Sequence, residues 1–309
     1  MIDSSIPIAL VTDNNYIMPT MVCLQSMIAN KNKRSYYKIY IFTDNITEQS
    51  AKMLQGFSEQ FFEIELLEVD NKYKFFKNTN SYITNSTFIR FDIPNILSQY
   101  DKILYLDVDM IIQKDLSELY NTEIGNMYAG VVCDVGDSFY NLTGRTNVEK
   151  YFNAGMILYN AKKYRENGLC KKLVDIYTKQ PKKLLLMDQD ALNIAFNNQI
   201  KILSPIYNFQ QSCCEYWQKD VLKYYNIQVN DIKLENIVII HYTRMKPWIY
   251  KSTYLKSQWD LYYMQTSLSC NKLKLKNGYI LRLYLSLRGR FRLQLINSII
   301  KKLRNAINA

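Results

Sequence analysis

The chain has 309 residues, of which 48% are hydrophobic and 22% charged, so it can bury a substantial core and is not expected to be disordered. Its single histidine, His241, excludes metal sites that need two or more imidazoles. Ten of the eleven net positive charges lie beyond residue 270, where there is no acidic residue, which leaves residues 1–270 with a net charge of +1. An anionic partner is therefore predicted for the tail alone, and a nucleic-acid-binding body is disfavoured.

Short apolar segments alternate with helical patterns along the first 270 residues. Helices are predicted after the first strand, near Ala161–Lys179 and at Asp188–Asn197. Strands are predicted at Ile6–Val11, Tyr37–Thr43, Phe62–Val69, Ile103–Leu106, Met127–Cys133, Gly155–Tyr159 and Ile237–His241. Strands separated by helices indicate an α/β fold whose mostly parallel sheet is covered on both faces.

The composition changes near residue 270. From Leu281 to Leu295 apolar residues alternate with Arg, which is a strand period, but Leu and Arg both favour helix, and a helix is the preferred prediction. We find no signal-peptide pattern and no apolar run near the ~18–20 residues of a membrane span. The six cysteines show no CxxC spacing, which favours free thiols in a reducing cytosol. A main domain at 1–260 and a basic, apolar segment at 261–309 are expected.

Two acidic residues stand out in the apolar segment KILYLDVDMIIQ. The spacing of Asp107 and Asp109 places both carboxylates on one face of an extended segment. Two charges among apolar residues are costly, and a divalent cation bound to a diphosphate would neutralise them. Their removal should then cost the cation-free protein little stability. The alternative is a solvated strand end. Glycine-rich dinucleotide and P-loop motifs do not occur, so a nucleotide would have to be bound in another way.

His241 ends the apolar strand IVIIH. A histidine there is often a hydrogen-bonded structural residue, but beside Asp107 and Asp109 it would complete a mixed nitrogen and oxygen ligand set. Such a set suits Mn²⁺ and accepts Mg²⁺ less well. Lys246, five residues later, could reach a phosphate as a point charge.

Two further polar segments have alternative interpretations. Asp188-Gln189-Asp190 precedes an apolar helix, where Asp188 would be an N-cap, or where the three side chains would hold sugar hydroxyls. Asn153-Ala154-Gly155 is typical of a turn, and would contact a sugar or phosphate if it lined a cleft.

Six segments in this order resemble glycosyltransferase family 8, especially the bacterial retaining galactosyl- and glucosyltransferases of lipopolysaccharide and capsule synthesis. The resemblance covers residues 1–260, and six co-linear segments are more specific than any one of them. The segments are LVTDNNY (Leu10–Tyr16), STFIRFDIP (Ser86–Pro94), KILYLDVDMII (Lys102–Ile112), FNAGMILYN (Phe152–Asn160), MDQDALN (Met187–Asn193) and HYTRMKPW (His241–Trp248).

The resemblance implies a GT-A-type fold with a mostly parallel mixed sheet, and transfer of galactose or glucose from a UDP-sugar to a glycan acceptor. It implies Mn²⁺, with Mg²⁺ as a substitute, held by Asp107, Asp109 and His241. Gln189 would lie near the anomeric carbon on the face opposite the leaving group, in a catalytic set with Asp188 and Asp190. The donor-binding set is Val11, Thr12, Asp13, Asn15, Tyr16, Arg90, Asp107, Val108, Asn153, Ala154, Asp188, Gln189 and Lys246.

One departure from the family pattern lies after His241. The family has a Gly three residues after the His, whereas here Arg244 occupies that place and the segment is one residue shorter. A glycine amide that would approach the diphosphate is therefore missing. Two other interpretations remain at this point: a glycogenin-like self-glucosylating enzyme or UDP-sugar hydrolase, and a nucleic-acid-binding protein that uses the basic tail. The expected location is the cytoplasm, at the inner face of the plasma membrane, with an acceptor carried on a lipid.

Overall fold

The structure, a computed structural model, describes residues 5–70, 72–73, 76, 85–135, 148–179, 184–211, 213 and 232–286. Its centre is a seven-stranded sheet with the strand order β3-β2-β1-β4-β7-β6-β8. These strands are β1 (Ile6–Val11), β2 (Tyr37–Thr43), β3 (Phe62–Glu68), β4 (Lys102–Leu106), β6 (Ala129–Cys133), β7 (Phe152–Asn160) and β8 (Ile200–Ile202). Within this sheet only β7 runs against its neighbours, so the predicted mostly parallel sheet is confirmed.

A small second sheet lies at the carboxyl end of β4. It contains β5 (Met110–Ile112), β9 (Phe209–Gln210) and β10 (Ile239–His241), in the order β5-β10-β9. The central strand β10 is antiparallel to β5, and this pairing sets His241 opposite Met110. The last residue of β10 therefore lies next to the acidic segment that joins β4 to β5.

Helices cover the sheet. They are α1 (Ile17–Asn30), α2 (Glu48–Gln55), α3 (Ile93–Ile96), α4 (Ser117–Asn121), α5 (Ala161–Glu166), α6 (Leu169–Lys179), α7 (Met187–Phe196), α8 (Lys256–Tyr263) and α9 (Tyr279–Ser286). The prediction of one helix over 161–179 is wrong. The chain breaks between α5 and α6 because Gly168 adopts a φ of +59°, in the left-handed region that glycine reaches without strain.

The central strands are apolar on both faces, as expected for a covered parallel sheet. In β1, Ile8 and Leu10 face a core that includes Leu24 of α1, whereas Ala9 faces the opposite core with Leu192 of α7. All five residues are fully buried, and each large aliphatic side chain of this kind stabilises the fold by about 1.5–3 kcal/mol.

The segment after residue 260 is attached to the main body. Helix α8 continues across the predicted boundary at 260, and Tyr262 and Tyr263 are buried in a third apolar cluster. Lys276 pairs with the backbone of Ile249 and Lys251, at 2.8 and 2.9 Å. The helix prediction for Leu281–Leu295 is confirmed as far as Ser286, and residues 287–309 lie outside the described part of the chain. No described helix is both long and apolar enough to cross a membrane.

Candidate active site

Three predicted cation ligands lie together at the carboxyl end of β4. Asp107 and Asp109 occupy the bend between β4 and β5, and His241 reaches them from the end of β10. The Nε2 atom of His241 lies 3.1 Å from Oδ1 of Asp109 and 3.7 Å from Oδ2 of Asp107. Each of the three residues offers one ligand atom, and these three atoms all lie within 4.8 Å of one another. Two carboxylates and an imidazole at this spacing fit a divalent cation.

Protein cations already neutralise the carboxylates. Lys246 donates hydrogen bonds to Asp109 and to the carbonyl of Tyr242. Burial by itself would raise the pKa of Asp109, but Lys246 and His241 hold it below its ordinary value. Burial lowers the pKa of Lys246, yet Asp109 leaves it raised. The sequence predicted that removal of either carboxylate would cost the cation-free protein little stability, whereas these contacts lead us to expect a loss of stability for Asp109.

Arg90 joins the acidic pair to helix α7. It lies in a 3₁₀ segment, Asn85–Phe91, and its guanidinium contacts Asp107 at 3.0 Å, Asp188 at 3.1 Å and the carbonyl of Ala154 at 2.9 Å. Burial disfavours the charged guanidinium, but Asp188 and Asp107 keep the pKa of Arg90 raised. Burial also raises the pKa of Asp188, against the effect of Arg90. One rigid, planar cation thus fixes groups from three separate segments.

The first turn of α7 carries the other predicted catalytic residues. The helix begins at Met187, so Asp188 lies inside it and the N-cap interpretation is wrong. Gln189 accepts a hydrogen bond from the amide of Ala154 at 2.9 Å and donates one to Asp134 at 3.1 Å. Asp190 is fully buried, and its two oxygens accept hydrogen bonds from the hydroxyl of Tyr151 and the amide of Leu186.

The segment Asn153-Ala154-Gly155 belongs to β7, so the prediction of a turn is wrong. Its pairing with β6 shifts register beside Asn153, as at a β-bulge, and this end of β7 lies beside Asp107, Asp109 and His241, the three residues named here the cation cluster. A Cβ on Gly155 would lie 2.2 Å from Cε1 of His241 and 2.9 Å from Oδ2 of Asp107. Only glycine leaves room for the imidazole at this place.

The predicted nucleoside contacts lie at the end of β1, beside the end of β4. Leu10 pairs with Leu106 in the sheet, so Val11–Tyr16 and the acidic bend leave the same edge. The carboxylate of Asp13 accepts a hydrogen bond from the amide of Asn15 at 2.8 Å, which forms a short turn. Burial raises the pKa of Tyr16, whose ring lies edge-on to Trp248 at 6.1 Å. Val108 turns its side chain into the core.

Several site residues had no sequence signal. Tyr105 donates to Asp107 at 2.6 Å, and Asn208 contacts His241 at 2.9 Å. Gln211 accepts from the amide of Arg244 at 3.1 Å and donates to the carbonyl of Met245 at 2.9 Å, so a side-chain amide braces the segment that lacks the expected glycine. Tyr105 lies in the segment KILYLDVDMII but was not singled out there, and Asn208 and Gln211 lie in none of the six segments.

The profile of glycosyl transferase family 8 matches residues 7–252, which is most of the chain. The chain belongs to glycosyl transferase family 8. The resemblance stated from the sequence is therefore confirmed, and the protein is a glycosyltransferase. It is similar to the lipopolysaccharide 1,2-glucosyltransferase of Escherichia coli, with 27% identity over 245 residues that cover 76% of this chain and 71% of the relative. Identity to the lipopolysaccharide 1,3-galactosyltransferase of Salmonella typhimurium is 27% over 262 residues, which cover 81% and 74%.

The fold of this family 8 member also matches solved structures. The galactosyltransferase LgtC, solved with donor and acceptor sugar analogues, superposes with a TM-score of 0.74 at 20% identity, over 85% of this chain and 96% of that one. At this identity the likeness shows the fold alone. The predicted GT-A-type fold is confirmed.

Proposed function

We propose that this glycosyltransferase is a retaining hexosyltransferase that moves galactose or glucose from a UDP-sugar to a glycan acceptor. The observation that carries the proposal is the convergence of Asp107, Asp109 and His241 with Arg90 and Lys246 at one sheet edge. Ligands of open α/β sheets bind beyond the carboxyl ends of the strands, which is where these groups lie. The lipopolysaccharide glucosyl- and galactosyltransferases among the relatives support this class of substrate.

A divalent cation fits the acidic pair and His241, and Mn²⁺ is our first choice, with Mg²⁺ second, because one ligand is an imidazole nitrogen. Gly155 supports this assignment because it has no side chain. The imidazole can therefore lie beside the carboxylates, in space that a Cβ at position 155 would block. When bound, such an ion offsets negative charge on the departing diphosphate.

The chain's own groups supply the remaining work. Lys246 provides a point charge for the phosphates, and Arg90 holds Asp188 and the backbone of Ala154 toward the sugar. Val11–Tyr16 would frame the uracil and ribose at the neighbouring strand end. The main contribution to the rate would be electrostatic, through charges fixed before the diphosphate leaves.

The position of Gln189 supports a front-face route, in which the acceptor hydroxyl approaches on the leaving-group side. An amide is a poor nucleophile, and the hydrogen bonds of Gln189 to Ala154 and Asp134 hold it in place. Asp190, the nucleophile that a double displacement would need, has both oxygens engaged within the core.

Replacing Gln189 with Ala is expected to lower the transfer rate about ten- to a hundredfold, because the amide positions and polarises the sugar without forming a bond to it. Single-turnover kinetics would measure the change. Gln113→Ala is the matched control. In the described part of the chain the side-chain amide of Gln113 bonds only Gln258, at 2.8 Å, so this variant should transfer sugar at the wild-type rate. A sugar trapped covalently on Asp190 and detected by mass spectrometry would overturn the front-face route.

Incubation with Mn²⁺ and a panel of UDP-sugars tests the proposed function as a whole. Release of UDP that rises with an added glycan acceptor would support transfer. Release that is equal without acceptor would instead identify a hydrolase, and sugar mass added to the purified protein alone would identify a self-glucosylating enzyme. No UDP release from any member of the panel would refute the proposal.

We also propose that the end of the chain holds the enzyme at an anionic membrane surface on the cytoplasmic side. Six of the ten tail cations, together with Leu, Ile and Phe, lie beyond Ser286. Apolar burial and attraction to acidic lipid, at ~1 kcal/mol per charge close to the surface, combine in such binding. The location would bring a soluble donor to a lipid-linked acceptor.

Deletion of residues 287–309 is expected to abolish co-sedimentation with acidic liposomes at low salt while leaving UDP release with a soluble acceptor within about twofold of wild type. The deletion begins at 287 because Lys276 and Arg282 contact the main body, the latter through the carbonyl of Ser252 at 3.3 Å. Liposomes of neutral lipid are the control. A full-length protein that ignores acidic liposomes would contradict the proposal.

A further inference from the structure

The buried side-chain amide of Asn208 contacts the single histidine, His241, at the ring nitrogen that does not face the carboxylates. Nδ1 of His241 lies 2.9 Å from Oδ1 of Asn208, while its Nε2 faces the two carboxylates. His241 is 3% exposed and Asn208 is completely buried, so water does not compete for this contact. Asn208 ends a 3₁₀ segment, Pro205–Asn208, that leads directly into β9.

The orientation of the Asn208 amide follows from a backbone donor. The amide N–H of Gly155 can only donate, and it meets Oδ1 of Asn153 at 3.0 Å. The other end of that side chain faces a carboxylate oxygen of Asp134 at 3.4 Å, which is where its NH₂ group belongs. The oxygen of Asn153 also faces Asn208 at 2.9 Å, so the group of Asn208 on that side must be its NH₂ donor.

The carbonyl oxygen of Asn208 therefore points at His241. An oxygen cannot donate, so Nδ1 of His241 must carry the hydrogen in this contact. In a neutral imidazole with a protonated Nδ1, the lone pair lies on Nε2. That is the nitrogen 3.1 Å from Asp109, on the side of the proposed cation.

We propose that Asn208 is a positioning residue, which keeps Nδ1 of His241 protonated and thereby presents the Nε2 lone pair to the cation. The relay runs from the Gly155 amide through Asn153 and Asn208 to His241. This proposal depends on the proposed function in one respect only, namely that a cation binds Asp107, Asp109 and His241. Partners of this kind behind a ligating histidine are worth about ten- to a hundredfold in metal affinity.

The chain contains one histidine, so ¹⁵N-histidine labelling gives the two ring nitrogens of His241 and no others. We expect Nδ1 to show the chemical shift of a protonated ring nitrogen both without metal and with Mg²⁺. Only the Nε2 signal should move when Mg²⁺ is added, and added Mn²⁺ should broaden it. An unprotonated Nδ1 in the wild-type protein would overturn the proposal, whether or not the enzyme transfers sugar.

Two variants of Asn208 separate positioning from packing. Asn208→Leu keeps the approximate shape but removes the acceptor, and should shift the Nδ1 signal and weaken Mn²⁺ binding, measured by calorimetry, about ten- to a hundredfold. Asn208→Asp keeps an acceptor toward Nδ1 and should keep that nitrogen protonated. Asn208→Leu with wild-type Nδ1 shift and wild-type Mn²⁺ affinity would contradict the assignment, as would loss of the Nδ1 proton in Asn208→Asp.

Asn30→Leu is the matched control. The side-chain nitrogen of Asn30 lies 2.9 Å from the carbonyl oxygens of Ser26 and Ile112 and 2.7 Å from the hydroxyl of Tyr262, and none of its described partners belongs to the cation cluster. This variant loses comparable polar contacts, so it should lose stability while leaving both ring-nitrogen signals and Mn²⁺ affinity unchanged. A control that moves the His241 signals would mean that they report general packing and would overturn the argument. If Asn208→Leu does not fold, the wild-type spectrum and Asn208→Asp decide the question.

Discussion

Asp109→Asn is expected to transfer sugar at less than a tenth of the wild-type rate in saturating Mn²⁺, a loss of more than ~1.4 kcal/mol of transition-state stabilisation. Asparagine has the same shape as aspartate but lacks the negative charge that a divalent cation needs. The same substitution at Asp107, whose carboxylate lies 3.7 Å from the imidazole, should have a similar effect. Steady-state UDP release at several Mn²⁺ concentrations would measure both. Retention of more than a tenth of the rate would show that the carboxylates do not hold a catalytic ion.

The Asp109→Asn variant should also have a lower free energy of unfolding than the wild type when no metal is present. Loss of the Asp109 charge leaves the Lys246 ammonium buried without its counter-charge, which costs on the order of 1–3 kcal/mol. Asp115→Asn is the matched control, because Asp115 accepts hydrogen bonds from the amide of Asn32 and the hydroxyl of Tyr37, both at 2.8 Å, away from the site. It should lower the thermal midpoint and leave the rate per folded molecule unchanged.

Gly155→Ala is expected to lower Mn²⁺ affinity and transfer rate at least a hundredfold, through one added methyl group. The new carbon would lie 2.2 Å from Cε1 of His241, inside any permitted contact, so the imidazole must move out of reach of the carboxylates. Calorimetric titration with Mn²⁺ would measure the effect directly. Wild-type affinity in this variant would show that the imidazole is not a ligand.

Gly130→Ala separates this effect from general overpacking. There the added carbon would meet Cγ2 of Ile124 at 2.9 Å and Cδ1 of Leu203 at 3.1 Å, which are methyl groups of two aliphatic side chains. Overpacking of this kind costs about 1–3 kcal/mol of stability. The control should therefore unfold at lower temperature but bind Mn²⁺ as the wild type does.

Six of the seven strands of the central sheet were predicted, because each is rich in apolar residues, whereas the three-residue strand β8 was not predicted. Ile6–Val11 and Tyr37–Thr43 have the predicted bounds, since the first is a continuous apolar run and the second is interrupted only by Lys38 before its final Thr43. Asn153–Gly155 was assigned to a turn because Asn and Gly favour turns. In β7 these residues instead serve tertiary contacts: the Asn153 side chain links Gly155 to Asn208, and Gly155 provides clearance for His241. The turn preference of Asn and Gly does not reveal these tertiary contacts.

The cation cluster was accessible from the sequence because its acidic pair interrupts an apolar strand and its histidine ends another. The contact between Lys246 and Asp109 could not be predicted from the sequence, since it depends on the path of the chain after β10. Tyr105 and Asn208 were missed for the same reason. A tyrosine in an apolar strand and an asparagine three residues after a proline are common in any sequence, and only the folded chain places them beside Asp107 and His241.

The distance along the chain between the site residues has a consequence for how the protein folds. In the described part of the chain, six segments form the cation cluster and its hydrogen-bond partners: those of Arg90, the acidic bend, the start of β7, the start of α7, Asn208 and the end of β10. None of the described hairpins or helix pairs holds more than a fraction of these groups, so the site forms only when segments far apart in the chain come together, and such long-range contacts form slowly. A partly folded chain has no such site. Any ligand that binds these groups therefore stabilises the entire domain against unfolding, by an amount that grows with the logarithm of its concentration.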